Sequence, residues 1–273
     1  MLRYRYYARS EHTVQFIFIL VSFLASVIGC ICGIGGGVII KPVLDAFGLY
    51  SVSTISFMSG CIVLSMTTYS VAKAKLARES VIEKGVSTWL GIGAAAGGLA
   101  GKQLFDVIKS LFDRPDTVGA VQAAALFTVT FGTAVYTVNK ERIRTIRIQN
   151  PAGCVAIGLA LGLMSSFLGI GGGPINLVVL YFFFSMETKT AAQNSLYIIF
   201  FSQLASLLFT LLCRNVPPFP VGLFACMVCC GILGGVVGRK INKKIDSRTV
   251  SKLFLGLMVV IMGICCYNFY RFI

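Results

Sequence analysis

The chain alternates long apolar runs with short polar segments. Eight runs, at residues 14–32, 52–72, 86–104, 118–138, 152–168, 191–212, 221–238 and 250–269, are long enough to cross hydrocarbon, which takes about 20 residues of helix. Two shorter runs, 37–47 and 174–186, each follow a cluster of glycines. At about a dozen residues they are too short for a straight crossing, so the pattern predicts half-helices or re-entrant segments. A break in regular structure at membrane depth is tolerated only where protein or a cavity covers the backbone. The fold class predicted is an all-α polytopic membrane protein.

The short runs also expose a duplication. Gly33-Ile34-Gly35-Gly36-Gly37 recurs 136 residues later as Gly169-Ile170-Gly171-Gly172-Gly173, and a serine follows the last glycine by 22 residues in both places, at Ser59 and Ser195. The chain accordingly divides into an N-terminal tail (1–12), a first transmembrane repeat (13–139), a basic cytoplasmic linker (140–150) and a second transmembrane repeat (151–273). Each half opens with a long helix, breaks at its glycine run, continues into a short segment and closes with three full spans.

Charge adds orientation. Residues 73–84 carry four basic and two acidic side chains, 140–147 four and one, and 239–252 six and one, whereas 102–116 is balanced at three of each. Basic clusters favour the cytoplasmic face. Eight simple crossings would place the second and third clusters on opposite faces, because three long spans separate them. Counting 174–186 as a crossing restores agreement. If 37–47 crosses as well, each half has five segments and the halves are oppositely oriented, the inverted-repeat arrangement of many transporters. Arg3, Arg5 and Arg9 pull the other way and favour an N-terminus inside, which a purely re-entrant 37–47 would give. The basic start has the flavour of a signal peptide, but the length of the run from Val14 and the runs after it predict an uncleaved first membrane segment in a multi-pass cell-membrane protein.

Composition narrows the function classes. The chain is 56% apolar and only 12% charged, with a mean hydropathy of +0.85; a water-soluble domain carries roughly a quarter of its residues charged. The net charge of +14 is no signal of nucleic-acid binding, because it sits in clusters between apolar runs. Nearly all of the ten cysteines lie in or at the ends of apolar runs. Cys226-x-x-Cys229 has no second CxxC and no matching histidine, so these read as small membrane residues rather than a redox or metal pair. His12 is the sole histidine and no lysine of a phosphate-binding loop follows either glycine run. Enzyme chemistry, a cofactor and a metal are therefore not expected.

Three consecutive glycines disfavour a regular helix and allow unusual dihedrals. A half-helix starting there presents free N–H groups and a positive dipole end, which near the midplane is an anion site made of backbone. Close helix packing through small residues is the competing explanation. Candidate binding groups are the backbone of Gly35, Gly36, Gly37, Gly171, Gly172 and Gly173, with Asn176 in the first turn of the second short segment and Ser59, Asn194 and Ser195 near the starts of the following helices. Asn194 reads equally as a helix cap, and the serines could bond back to their own helices. Lys41 lies four residues past the first glycine run with Asp45 at i+4, either as an ion pair on one helix face or as a charge that attracts an anion. Leu177 stands at the equivalent place in the second half.

At the glycine runs the chain resembles the TauE/SafE sulfite-exporter family, also called the TSUP anion permeases. The resembling residues are Gly33–Gly37 with Pro42 and Gly48, and Gly169–Gly173 with the 191–195 stretch. The resemblance spans nearly the whole chain. Met58-Ser59 and Asn194-Ser195 stand where members often carry Thr-Ser. It implies secondary transport, by export or uptake, of sulfite, an organosulfonate or a small carboxylate, without ATP hydrolysis. The implied partners are a small anionic solute and the lipid bilayer; a coupled proton or ion and a homo-oligomer are left open. An anion-selective channel and a membrane scaffold are the alternatives from other classes.

Overall fold

A computed structural model of the protein describes residues 2–76, 84–111 and 115–272. The side chains of the tail 1–12, with Arg3, Arg5, Arg9 and His12, residues 77–83 and the Lys84 side chain of the first basic cluster, and residues 112–114 with the side chains of 115 and 116 in the balanced segment lie outside that description. All regular structure among the described residues is helical: α1 (Leu2–Cys32), α2 (Gly37–Phe47), α3 (Val52–Leu76), α4 (Lys84–Leu111), α5 (Pro115–Asn139), α6 (Pro151–Phe167), α7 (Pro174–Phe184), α8 (Thr188–Leu212), α9 (Val221–Lys244) and α10 (Ser247–Phe272), with a 3-10 turn at Lys140–Arg142.

Each of the ten apolar runs is a helix, but the expected eight full spans become six by length and apolarity among the described residues. These are Thr13–Cys32, Val52–Leu76, Thr117–Arg142, Thr188–Leu212, Val221–Lys244 and Ser247–Phe272. The two that fall short do so for different reasons. Helix α6 has 17 residues, about 25 Å of rise. Helix α4 is long, but it is rich in glycine and alanine and carries Lys102, Asp106 and Lys109 on its last turns. The sequence reading placed those charges in a balanced loop; the structure places them on the helix.

Both glycine runs break the chain through left-handed glycines at their first and third positions. Gly33 and Gly35 have φ of 73° and 76°, and Gly169 and Gly171 have 64° and 69°. That left-handed conformation costs an ordinary residue about 1–2 kcal/mol, which is the physical reason the motif alternates glycine at these places. Helices α2 and α7 then run for 11 residues each, about 16 Å, roughly half a hydrocarbon core.

Their far ends are sealed by different means. Helix α2 stops at Gly48, which is left-handed and donates its N–H to the Asp45 carbonyl at 3.1 Å. The Arg271 guanidinium of α10 donates to the carbonyls of Asp45 (3.3 Å), Ala46 and Phe47 (3.2 Å). Helix α7 stops at left-handed Ser185, and the 140–150 linker passes over its end. The Ile146 and Ile148 N–H groups donate to the Phe182 and Phe183 carbonyls at 2.7 and 2.9 Å. Terminal carbonyls that a lipid environment would leave unsatisfied thus find partners.

Helix packing uses glycine as a contact surface. Gly97 and Gly101 of α4 lie against the Leu159 and Leu163 carbonyls of α6, and Gly234 and Gly238 of α9 lie against the Phe23 and Val27 carbonyls of α1. Gly98 meets the Ser202 carbonyl of α8, and Gly235 meets the Met66 carbonyl of α3. Backbones approach closely where no Cβ intervenes. The remaining large interfaces are α3 on α8 and α5 on α10, with α2 against α10 and α7 against α5. The largest apolar cluster takes Ile34 and Val38 together with Ile170, Leu180, Ile198, Phe254 and Met258, so the two five-helix sets share one interior.

Candidate anion site

The two glycine runs, 136 residues apart in sequence, meet at the centre. A methyl group added at Gly37 would overlap the Ile170 carbonyl oxygen, and one added at Gly172 would lie 2.9 Å from the Ile34 carbonyl oxygen. One added at Gly35 would lie 3.7 Å from the Gly171 carbonyl oxygen. The N-termini of α2 and α7 therefore start at the same place. Their caps, Gly36 and Gly173, supply no side-chain hydrogen bond to the first turn. Two helix ends of like polarity converge there, and each carries roughly half a positive charge.

Several predicted residues surround this junction with unused polar atoms. Ser59 and Ser195 are fully buried and their hydroxyls have no partner, and Asn176, 1% exposed, has neither amide atom bonded. Ser59 faces the break directly, with its Oγ 2.8 Å from where a Gly37 methyl would stand. Two serines that sequence reasoning passed over join them. The unpartnered Ser26 hydroxyl faces Gly36 and the unpartnered Ser56 hydroxyl faces Gly169. Leaving a buried polar group unsatisfied costs about 1–3 kcal/mol, and native interiors hold few of them. Such a concentration beside two helix N-termini marks a place that polar solute or water completes.

Asn194 stands apart. Its Oδ1 accepts from the Ser87 hydroxyl of α4 and its Nδ2 donates to the Thr190 carbonyl at 2.8 Å. It fastens α4 to α8. Asn194→Ala is expected to cost about 1–3 kcal/mol, read as a lower Tm in detergent, with the half-saturation of transport unchanged.

Lys41 is 3% exposed, and its ammonium bonds Asp45 at 2.6 Å, the i,i+4 pair foreseen from spacing. The other Asp45 carboxylate oxygen has no partner. The lysine also reaches the second glycine run: its Cε lies 3.2 Å from where a Gly169 methyl would stand.

Above the junction a vestibule of about 320 Å³ opens at the end of α8 remote from the basic linker. Its polar lining includes Ser53 and Ser56 of α3, Lys102, Asp106 and Lys109 of α4, and Gln203 and Ser206 of α8, and Gly169 lies at its floor. None of the eleven residues predicted from sequence lines this space. Gln203 connects it to the junction, because its side-chain carbon is 3.2 Å from where a Gly171 methyl would stand. Lys102 is held by Asp106 at 3.1 Å and lies over the Phe105 ring at 4.8 Å. With Lys109 the lining is net basic, which suits an anion. One signal could have found Lys102: Gly97-Gly98-x-x-Gly101-Lys102 recurs as Gly234-Gly235-x-x-Gly238-Arg239.

Comparisons with curated proteins and with solved structures give no match. The family profile of the sulfite exporter TauE/SafE does match, over residues 18–264. That span takes in both glycine runs, all the vestibule's lining and nearly every membrane helix, so the chain belongs to the TauE/SafE sulfite-exporter family.

Proposed function

We propose that the protein is a secondary transporter, working as an exporter, of a small oxyanion such as sulfite, an organosulfonate or a small carboxylate. The observation that carries this reading is the meeting of two uncapped half-helix N-termini, ringed by unpartnered Ser59, Asn176 and Ser195, beneath a basic vestibule. An oxyanion entering the vestibule meets Lys102 and Lys109, passes Gln203 and reaches N–H donors of Gly35–Gly37 and Gly171–Gly173. Lys41, next to the floor, raises anion occupancy there while Asp45 keeps the pair neutral in the anion's absence.

The transport cycle is alternating access between inverted halves, 13–139 and 151–273. Five helices in each set, left-handed glycines at equivalent places in both breaks (Gly33 and Gly35, Gly169 and Gly171) and glycine contacts that repeat with a 136-residue offset (Phe23 and Val27 against Leu159 and Leu163) support that symmetry. On the positive-inside rule the linker and the end of α9 face the cytoplasm, so the open vestibule faces outward. A channel needs a continuous pore, whereas Gly172 is in close contact with Ile34 across the junction.

The test is flux into proteoliposomes holding the purified protein, with sulfite, a short sulfonate, sulfate and a small carboxylate, each with and without a pH gradient. Saturable movement of one of them is expected. The half-saturation concentration should rise about tenfold in Ser59→Ala with Ser195→Ala, the loss of two donor hydrogen bonds. Flat traces for all four solutes from folded protein would sink this solute class, and channel-like, unsaturable rates would sink alternating access.

A further inference from the structure

On the opposite side of the junction lies a second pocket, of about 30 Å³, lined by Cys30, Ser70, Ala192, Gln193, Leu196, Arg239, Asn242 and Lys243. Shifted by the offset of the internal repeat, 136 residues for α1, α3 and α8 and 137 for α9, seven of these eight fall on residues that line the open vestibule. Cys30 corresponds to Ser166, Ser70 to Ser206, Ala192 to Ser56, and Arg239 to Lys102. The two cavities are the same construction at a tenfold difference in volume.

The cations at the equivalent positions are used differently. In the open cavity Lys102 turns along its own helix to Asp106. In the small one Arg239 Nη1 reaches across to α3 and donates to the Ser70 carbonyl at 3.0 Å. Two further contacts draw the same walls together. Cys30 Sγ donates to the Gly235 carbonyl at 3.4 Å, and Asn242 Nδ2 donates to the Ile31 carbonyl at 2.6 Å. The Gln193 side-chain oxygen is left buried without a partner. A buried acceptor beside a guanidinium that is spent on a backbone carbonyl is what a polar cavity leaves when its walls close.

We propose that this pocket is the cytoplasmic oxyanion vestibule in its closed form, and that Arg239 is both its latch and the first cation an anion meets there when it opens. The proposal rests on the alternating-access reading and adds the residue that holds one side shut. When the walls part, the guanidinium leaves the Ser70 carbonyl and takes up the planar, bidentate contact with an oxyanion that suits arginine. Lys102 has the matching role outside.

Cys30 lies within the closed walls, 4% exposed, and reports on them. Intact protein in proteoliposomes is treated with a small membrane-permeant alkylating reagent, and modification is read cysteine by cysteine by mass spectrometry. Cys154, fully buried on α6 away from both cavities, is the internal reference. Arg239→Gln removes a charge-assisted hydrogen bond and is expected to speed Cys30 modification by about ten- to a hundredfold with Cys154 unchanged. Arg239→Lys, which keeps the cation, should stay within about threefold of the parent, and Lys102→Gln should not speed Cys30 modification. An unaltered Cys30 rate in Arg239→Gln overturns the latch, and so does an equal rise at Cys154, which makes Arg239 a general packing residue. Because the readout needs no transported solute, flat flux with a responsive Cys30 refutes the solute class and leaves the latch standing.

Discussion

Gly37→Ala is expected to abolish the folded protein, while Gly173→Ala, at the equivalent place in the repeat, leaves it folded. The motif repeats residue for residue, so sequence alone assigns the two substitutions equal weight. The surroundings do not. A methyl at Gly37 would overlap the Ile170 carbonyl oxygen and stand 2.7 Å from the carbonyl carbon and 2.8 Å from Ser59 Oγ. Backbone of the opposite glycine run cannot move aside without unseating α7, and overpacking of this kind costs about 3 kcal/mol or more. Gly173 has an extended φ of −174°, and its nearest neighbour would be the flexible end of Ile170 at 3.4 Å. Its methyl is an ordinary contact, expected to cost under about 1 kcal/mol. Yield of monodisperse protein and thermal unfolding in detergent compare the pair. Equal behaviour would mean that the runs do not meet as described. Transport by the surviving Gly173→Ala then reads whether the α7 N-terminus touches solute.

The second large effect is at the buried ion pair. Asp45→Leu leaves the Lys41 ammonium buried without its partner and is expected to destabilise the protein by about 3–5 kcal/mol. Lys41→Met with Asp45→Leu together removes both charges, and replacing a whole buried pair by apolar groups is close to neutral. The double variant is therefore expected to recover the Tm that the single one loses. Its flux carries the functional information. With Lys41 beside Gly169 at the vestibule floor, we expect the half-saturation concentration to rise about tenfold, corresponding to roughly 1.4 kcal/mol. An unchanged value in the folded double variant would make the pair structural and remove Lys41 from the anion's path. Arg271, which closes the end of α2, is an independent cation near the pair and is left intact in both variants.

Much of this architecture was legible before any coordinate. Apolar runs located every helix because a lipid solvent demands long uninterrupted apolarity, and the glycine runs located both breaks because only glycine takes left-handed backbone without strain. The i,i+4 spacing foretold the Lys41–Asp45 pair. Other readings needed space. Asn194 could be a cap or a ligand by position, and only the approach of Ser87 from α4 committed both ends of its amide. Lys102 and Arg239 looked like charges of loops and clusters, since their helices extend further than their apolar stretches do. Six strong spans stand against an expected eight because α6 is short and α4 is glycine- and alanine-rich, its glycines serving contact with α6.

By itself, then, the sequence determined an all-helical membrane protein, where its helices lie, where two of them break and that the breaks are duplicates. Those properties are local: they depend on side-chain hydropathy and on backbone sterics within a few residues. Only the tertiary structure decided that the two breaks touch, that one of two equivalent cavities is wide and the other shut, and that Gly37 is crowded where Gly173 is not. Repeated sequence makes such sites equivalent in composition, but two copies folded against each other need not hold the same conformation, and in this protein the packing between the copies separates them.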